Sequence, residues 1–485
     1  GEGIETYKEI RRKMRKIINS RYYLQVDTKL HLSDKRLNKR VVEDINRLLN
    51  ILLPFSTTYQ EKDTPLSRYK QDFIDKYGIN REVSLLEMLD NDLGIGAPIG
   101  YEHPKNNHLE QRSINNLPDE KIREYFIGKY VEAINKRSSI KLLDEDVEKL
   151  GLSYNYHNIP DSLEMNIIIK NDVANKKYQY YLGPNLGSTM AGKTFGRFAH
   201  LIEHDRELFQ NINNEFKKMN RLKGHSTCEL VYTPETPRNG NVVRNRHESD
   251  YELVLHTNSS KATMQTLSID DIYIGIENNQ FYAKSKSLDE KLIITVHNML
   301  NTTLAPNAIR FLHEISLDGK KIWYDLPWDL IFSEYPYVPK IEYENFTIAP
   351  EKWVLNRIIQ EDKWIDYDTF LTLFNDVREK YRIPQYVYLA FADNRLLLNL
   401  MDQTCLKILH HEFNNRIGNV LLTSYEVDGE NIVKDGTGEK YFSEFVIPLI
   451  KVDRKEEYSY NPVVRFNNIS GHASERLKVP FNGWL

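Results

Sequence analysis

The chain has 485 residues, 40% hydrophobic content and a formal charge of −4 from 65 basic and 69 acidic residues. That is apolar material for several cores, with no global positive field, so any nucleic-acid contact has to be a local patch. Two cysteines, Cys228 and Cys405, exclude a disulfide framework and a zinc cluster and fit a reducing cytoplasm, and no apolar run approaches a membrane span.

The chain opens on Gly1-Glu2-Gly3 and a basic helix over 4–20, with Ile4, Tyr7, Ile10, Met14 and Ile17 on one face. Leu24-Gln25-Val26-Asp27 reads as a short strand. An amphipathic helix over 33–53 follows, with Ser33 as N-cap and Leu37, Val41, Ile45, Leu48 and Leu49 inward. Residues 66–90 read as helix in two pieces, broken at Gly78. Residues 91–118 form a polar loop, and helix returns over 119–150. From about residue 160 the period changes to two. Strands at 163–169 and 178–182, 272–276 and 280–284, and 385–391 and 395–400 flank Asn-, Lys- or Asp-containing turns and read as hairpins. Further strands are expected at 226–233, 251–257, 419–427 and 443–452, and helices at 194–223 and 402–413. The sum is an α+β protein of several subdomains: a helical N-terminal part, then mixed, mostly antiparallel sheets with packed helices. The divisions fall at 1–155, 156–320 and 321–485. The tail stops on Trp484-Leu485, the pattern of a piece of a longer protein.

Gly187-Ser188-Thr189-Met190-Ala191-Gly192-Lys193-Thr194 matches the phosphate-binding pattern G-x-x-x-x-G-K-[ST]. In a nucleotide site the backbone amides and Lys193 would cradle phosphates. The surrounding strands come as hairpins, however, whereas that fold needs a parallel sheet. A Gly-rich turn before a helix is the simpler reading, and P-loop nucleotide binding stands as the rival.

A different set of strings carries more information. Tyr69-Lys70-Gln71-Asp72-Phe73-Ile74-Asp75-Lys76-Tyr77-Gly78, running on through Val83-Ser84-Leu85-Leu86-Glu87-Met88-Leu89-Asp90 to Gly94-Ile95-Gly96-Ala97-Pro98, resembles the central signature of the lantibiotic dehydratases. Leu24-Gln25-Val26-Asp27, Pro160-Asp161-Ser162-Leu163-Glu164, Gly196-Arg197-Phe198, Arg238-Asn239-Gly240-Asn241-Val242, Pro306-Asn307-Ala308-Ile309-Arg310-Phe311-Leu312 and Asp393-Asn394-Arg395-Leu396-Leu397-Leu398 follow that family in the same order. The resemblance covers the central and C-terminal parts of the family's glutamylation region. It implies an N-terminal lobe and a glutamate-elimination domain outside this chain.

The family implies a chemistry. Glutamate passes from glutamyl-tRNA to a Ser or Thr hydroxyl of a ribosomal precursor peptide, and its elimination leaves dehydroalanine or dehydrobutyrine. The ester is already activated, so no cofactor beyond glutamyl-tRNA as co-substrate is expected, and no metal. Acyl transfer asks for a group that orients or deprotonates the hydroxyl, an oxyanion stabiliser, and cations for glutamate and phosphates. Arginine suits the last two because its planar fork binds carboxylate and phosphate bidentately. Arg197 matches the family's Gly-Arg-Phe arginine and Asp27 its strand-end aspartate; these two are the catalytic candidates. Taken alone, the first reads as a helix-end arginine in a surface pair and the second as a turn residue. Arg238, Asn241, Arg244 and Arg246 form a basic loop suited to the tRNA, and Lys217, Lys218 and Arg221 a second basic group at a helix end. The resemblance further implies a homodimer, partnership with a lanthionine cyclase, and a cytoplasmic place or one peripheral at the inner face of the membrane in a modification complex. A catalytically inactive peptide-binding scaffold of the same fold is the non-enzymatic rival.

Overall fold

The structure, a computed structural model, describes residues 3–20, 23–33, 36–58, 65–105, 118–202, 211, 214, 225–236, 239–360, 364–391, 394–415, 418–425, 429–452, 463–465 and 476–478. Lys217, Lys218, Arg221, Arg238, most of 203–223 in the helix expected at 194–223, residues 106–117 of the polar loop and the tail at 479–485 lie outside the described residues.

The long hairpin Ser162–Asp172 and Lys177–Ser188 is the spine of the largest sheet. Its first strand pairs antiparallel with Glu444–Val452, and its second pairs parallel with Phe346–Ala349. Helix Lys39–Phe55 lays Val41, Ile45, Leu48, Leu49 and Leu52 into the same core as Leu163, Met165, Ile167 and Tyr180 of the hairpin. This helix starts six residues later than its pattern suggests. Asn38, not Ser33, is the cap, accepting from the Arg40 amide at 2.9 Å.

Beside it lies a seven-stranded sheet: Val83–Ser84, Ile272–Glu277, Gln280–Ser285, Glu290–Thr295, Ser226–Tyr232, Tyr251–Leu255 and Thr266–Ser268, in that spatial order. Its hairpin half is antiparallel, but the last four strands run parallel to one another. Helices Pro65–Tyr77 and Asn307–Ser316 cover it through Tyr69, Phe73, Phe281 and Phe311. The signature string therefore builds a core: Tyr69 donates to the Gly96 carbonyl at 2.6 Å, and buried Lys70 pairs with Asp318 at 2.8 Å.

A five-stranded antiparallel sheet orders Tyr337–Val338, Lys352–Val354, Leu421–Ser424, Tyr386–Phe391 and Asn394–Asn399, backed by helices Tyr367–Tyr381 and Gln403–Asn415. Its core is local in sequence. The first core is not: it draws on 41–55, 126–182, 323–348 and 445–449, across both divisions read from the sequence.

Two local expectations change. Leu24–Asp27 is not a strand; Leu24 and Val26 are both exposed, so no buried face fixes a register. Helix Gly3–Arg15 forms, but none of its residues is buried. No helix among the described residues is long and apolar enough to cross a membrane.

Candidate active site

The Gly-rich turn explains both what the matching motif does and where Arg197 stands. Glu164, wholly buried on the hairpin's first strand, fills the turn with its carboxylate. It accepts from the Gly192 amide at 2.7 Å, the Thr194 amide at 3.2 Å, the Thr194 hydroxyl at 2.9 Å and the Ser188 hydroxyl at 3.3 Å. The donors a phosphate would need are thus spent on the chain's own anion. Lys193 turns inward to His313, Nζ to Nε2 3.3 Å, and burial pushes it down to about 8. Burial likewise pushes His313 well below the usual imidazole range. Glycine is required at 187 because a Cβ there would lie 1.9 Å from the Glu164 carbonyl oxygen.

A single helical turn, Lys193–Gly196, leads out of this motif and delivers Arg197 as its C-cap. The Arg197 Nη2 lies 3.5 Å from Asp27 Oδ1. The two catalytic candidates, 170 residues apart in sequence, therefore meet. Arg197 also stands 4.8 Å over the Phe198 ring, and its Nε is buried with no hydrogen-bond partner. Its side chain is 30% exposed and that of Asp27 15%, so the pair opens to solvent.

His200 joins them, a residue that sequence reading did not single out. Its Nε2 is 3.6 Å from Asp27 Oδ2, and its Nδ1 is 3.1 Å from the Arg197 carbonyl oxygen. A carbonyl can only accept, so Nδ1 carries the proton and Nε2 is left able to take one. The spacing of three residues on one turn was the available signal.

Below this open group is a closed one. Glu229, inward on strand Ser226–Tyr232, is fully buried. It accepts from Asn245 Nδ2 at 3.0 Å, the Thr295 hydroxyl at 2.8 Å, the His297 amide at 2.7 Å and His297 Nδ1 at 2.6 Å. Burial alone would push this carboxyl up. The His297 and His247 imidazoles and the hydrogen bonds from His297 outweigh it and hold Glu229 down at about 2. The His247 ring stacks on that of His297 at 6.1 Å and reaches Glu252 at 3.0 Å.

This node ties the basic loop to Arg197. Asn245 is its loop member, and the next amide, Arg246 N–H, donates to the Gly196 carbonyl at 3.2 Å. Gly196 packs so tightly that a Cβ would lie 2.5 Å from the His297 carbonyl oxygen. Arg246, Arg244 and Asn241 are exposed on the loop and the short helix Gly240–Val243 before it. No group of three or more His, Cys, Asp or Glu side chains suited to a metal ion occurs among the described residues.

Comparison with known proteins identifies the family. The family model described as "Lantibiotic dehydratase, N terminus" matches residues 1–409. The chain is 34% identical over 490 residues to the subtilin biosynthesis protein SpaB of Bacillus subtilis, and 30% identical over 495 residues to the nisin biosynthesis protein NisB of Lactococcus lactis subsp. lactis. Each match takes in all of this chain and 47% of the relative, so the chain spans about half the length of these proteins. Among solved structures, the tRNA-dependent lantibiotic dehydratase MibB from Microbispora sp. 107891 superposes with a TM-score of 0.72 at 22% identity, over 85% of this chain and 39% of that one. The glutamylation domain of TbtB, from thiomuracin biosynthesis, gives 0.53 at 13% identity, over 84% of this chain and 49% of that one. This chain belongs to the lantibiotic dehydratase family.

Proposed function

We propose that this chain forms part of an enzyme that carries out the glutamylation step of peptide dehydration, moving the glutamyl group of glutamyl-tRNA onto Ser and Thr hydroxyls of a precursor peptide. The observation that carries the reading is the convergence of Arg197, Asp27 and His200 at a partly open surface, beside a loop bearing Arg244 and Arg246. The peptide hydroxyl oxygen attacks the ester carbonyl as His200 Nε2 accepts its proton. Asp27 then faces an imidazolium that its carboxylate stabilises. Arg197, whose side chain is partly open to solvent, holds the developing oxyanion or the glutamate carboxylate. The tetrahedral intermediate collapses with loss of the tRNA ribose oxygen, which takes up a proton, and the peptide ester remains. Asn241, Arg244 and Arg246 meet RNA phosphates, with Arg238, Lys217, Lys218 and Arg221 as further candidates outside the described residues.

The filled Gly-rich turn supports glutamylation over nucleotide binding, since acyl transfer from an activated ester needs no nucleotide triphosphate and no cofactor. A homodimer, a cyclase partner and a place at the inner face of the membrane belong to the same reading. The test is mass spectrometry of a Ser/Thr-containing precursor peptide incubated with the chain and glutamyl-tRNA. The expected product carries added glutamyl groups, lost with Arg197→Ala. Equal glutamylation by the wild type and this variant would remove Arg197 from the site.

A further inference from the structure

The five-stranded sheet is helix-backed on one side, through Val387, Leu398 and Leu422. The alternate positions face away. Register sets Tyr386 opposite Asn399, Tyr388 opposite Leu397 and Thr423, and Ala390 opposite Arg395. The Tyr425 ring comes within 5.3 Å of Tyr388 and 6.4 Å of Tyr386. The Arg395 guanidinium stands 5.5 Å from the Tyr388 ring. Tyr386 is 45% exposed and Leu397 43%, with Tyr388, Tyr425 and Arg395 half-buried beside them. Thr423 is buried, so the opening lies over the last two strands. Glu444 lies close enough to Arg395 to act on its charge, but among the described residues none of those forming this face is itself acidic.

Three phenol rings, a guanidinium and a small apolar floor on an antiparallel sheet suit one partner chemistry. Rings offer π-faces to bases of any sequence, and arginine adds a plane and a charge for the adjoining phosphate. An aliphatic partner would gain little from the tyrosine hydroxyls and would have to desolvate Arg395. We propose that this face stacks unpaired bases of an RNA strand, which, resting on the glutamylation reading, is an unpaired stretch of the tRNA that delivers glutamate. A tRNA is long enough to touch the reacting group and a second surface at once.

Fluorescence anisotropy of this chain with a labelled single-stranded RNA oligonucleotide, a duplex of the same length, and intact glutamate-accepting tRNA tests the proposal. Tyr386→Leu and Tyr425→Leu are each expected to weaken the single strand and the tRNA by about tenfold, because leucine keeps apolar area and loses the stack. Tyr386→Phe is expected to bind like the wild type, and the duplex to bind more weakly than the single strand. Circular dichroism confirms that each variant is folded. Unchanged RNA affinity in both leucine variants overturns the proposal, as does absence of binding by the wild-type chain. Loss of precursor-peptide binding in those variants, with RNA binding intact, also overturns it and gives the face to the peptide. Arg197→Ala separates the two readings. Retained transfer in that variant sinks the active site alone, whereas wild-type RNA affinity in both leucine variants sinks the platform alone.

Discussion

Two carboxylates sit near Arg197 in opposite circumstances. Glu229 is fully buried and takes four hydrogen bonds of 2.6–3.0 Å. Asp27 is partly open and meets Arg197 and His200 at 3.5 and 3.6 Å, beside an arginine nitrogen with no partner. The saturated group can do no further binding, and its value is to hold the basic loop and the Gly196 turn in one place. The loose group has donors and acceptors left over, and a ligand can complete it. On the proposed reading, the scaffold and the chemistry differ in how much of their bonding capacity is already used.

The strongest way to break that comparison is to empty the saturated site. Glu229→Ala leaves donors from Asn245, Thr295 and His297 buried without an acceptor and is expected to destabilise the chain by about 3–5 kcal/mol. Denaturant unfolding measures it. Glu229→Gln keeps the shape and should cost less. The same group predicts the acid limb. Its carboxyl is held at about 2, below the ordinary 4.5. A lowered carboxylate contributes fully above its unfolded value and loses that contribution as pH falls towards the folded one. Stability should therefore drop between about pH 4.5 and 2, and the Gln variant should flatten that slope. A loss of less than about 1 kcal/mol in Glu229→Ala would show the node is not what holds the loop.

The loose site should behave the other way. Arg197→Ala is expected to cut glutamyl transfer by roughly 10²–10³ while changing stability by less than about 1 kcal/mol. Arg197→Lys should recover little, because a point charge cannot replace the fork. His200→Gln keeps a polar group near Asp27 but takes up no proton. It should cut the rate by roughly 10² or more. A wild-type transfer rate in His200→Gln would assign the base elsewhere.

Hairpins were legible because their turns carry a local requirement. Asn278 and Asn279 both adopt positive φ, 50° and 60°, between strands of alternating burial, and asparagine tolerates that conformation. The meeting of Arg197 and Asp27 rested on family resemblance alone, since nothing local joins residues 170 apart. Strands Ser226–Tyr232 and Tyr251–Leu255 were legible as strands. Their parallel pairing was not, because it depends on a crossover that the side-chain period does not encode. Glu229 gave one overlooked sign: a carboxylate between Cys228 and the run Leu230-Val231-Tyr232 of a strand needs buried partners. Its partner His297 lies 68 residues on, and only the fold brings it there.

The smallest effect sharpens the comparison from within the Gly-rich turn. Lys193 resembles a phosphate-binding lysine by motif, yet it is buried against His313 beside a turn whose anion is Glu164. Lys193→Met conserves most of the volume and removes a desolvated cation, so at neutral pH it should be no less stable than the wild type. The sign of its pH dependence follows from a folded value of about 8 against an ordinary 10.5. Between those values the unfolded chain holds the proton that the folded chain has released, so wild-type stability should rise with pH across that window, and below it the penalty of the buried charge is fully present. Lys193→Met should lack this rise. Nucleotide binding should be absent in both proteins by calorimetry with ATP and GTP. Micromolar ATP affinity that disappears in Lys193→Met would mean that Glu164 gives way to phosphate, and the turn would then belong with the open group around Asp27 rather than with the closed one around Glu229.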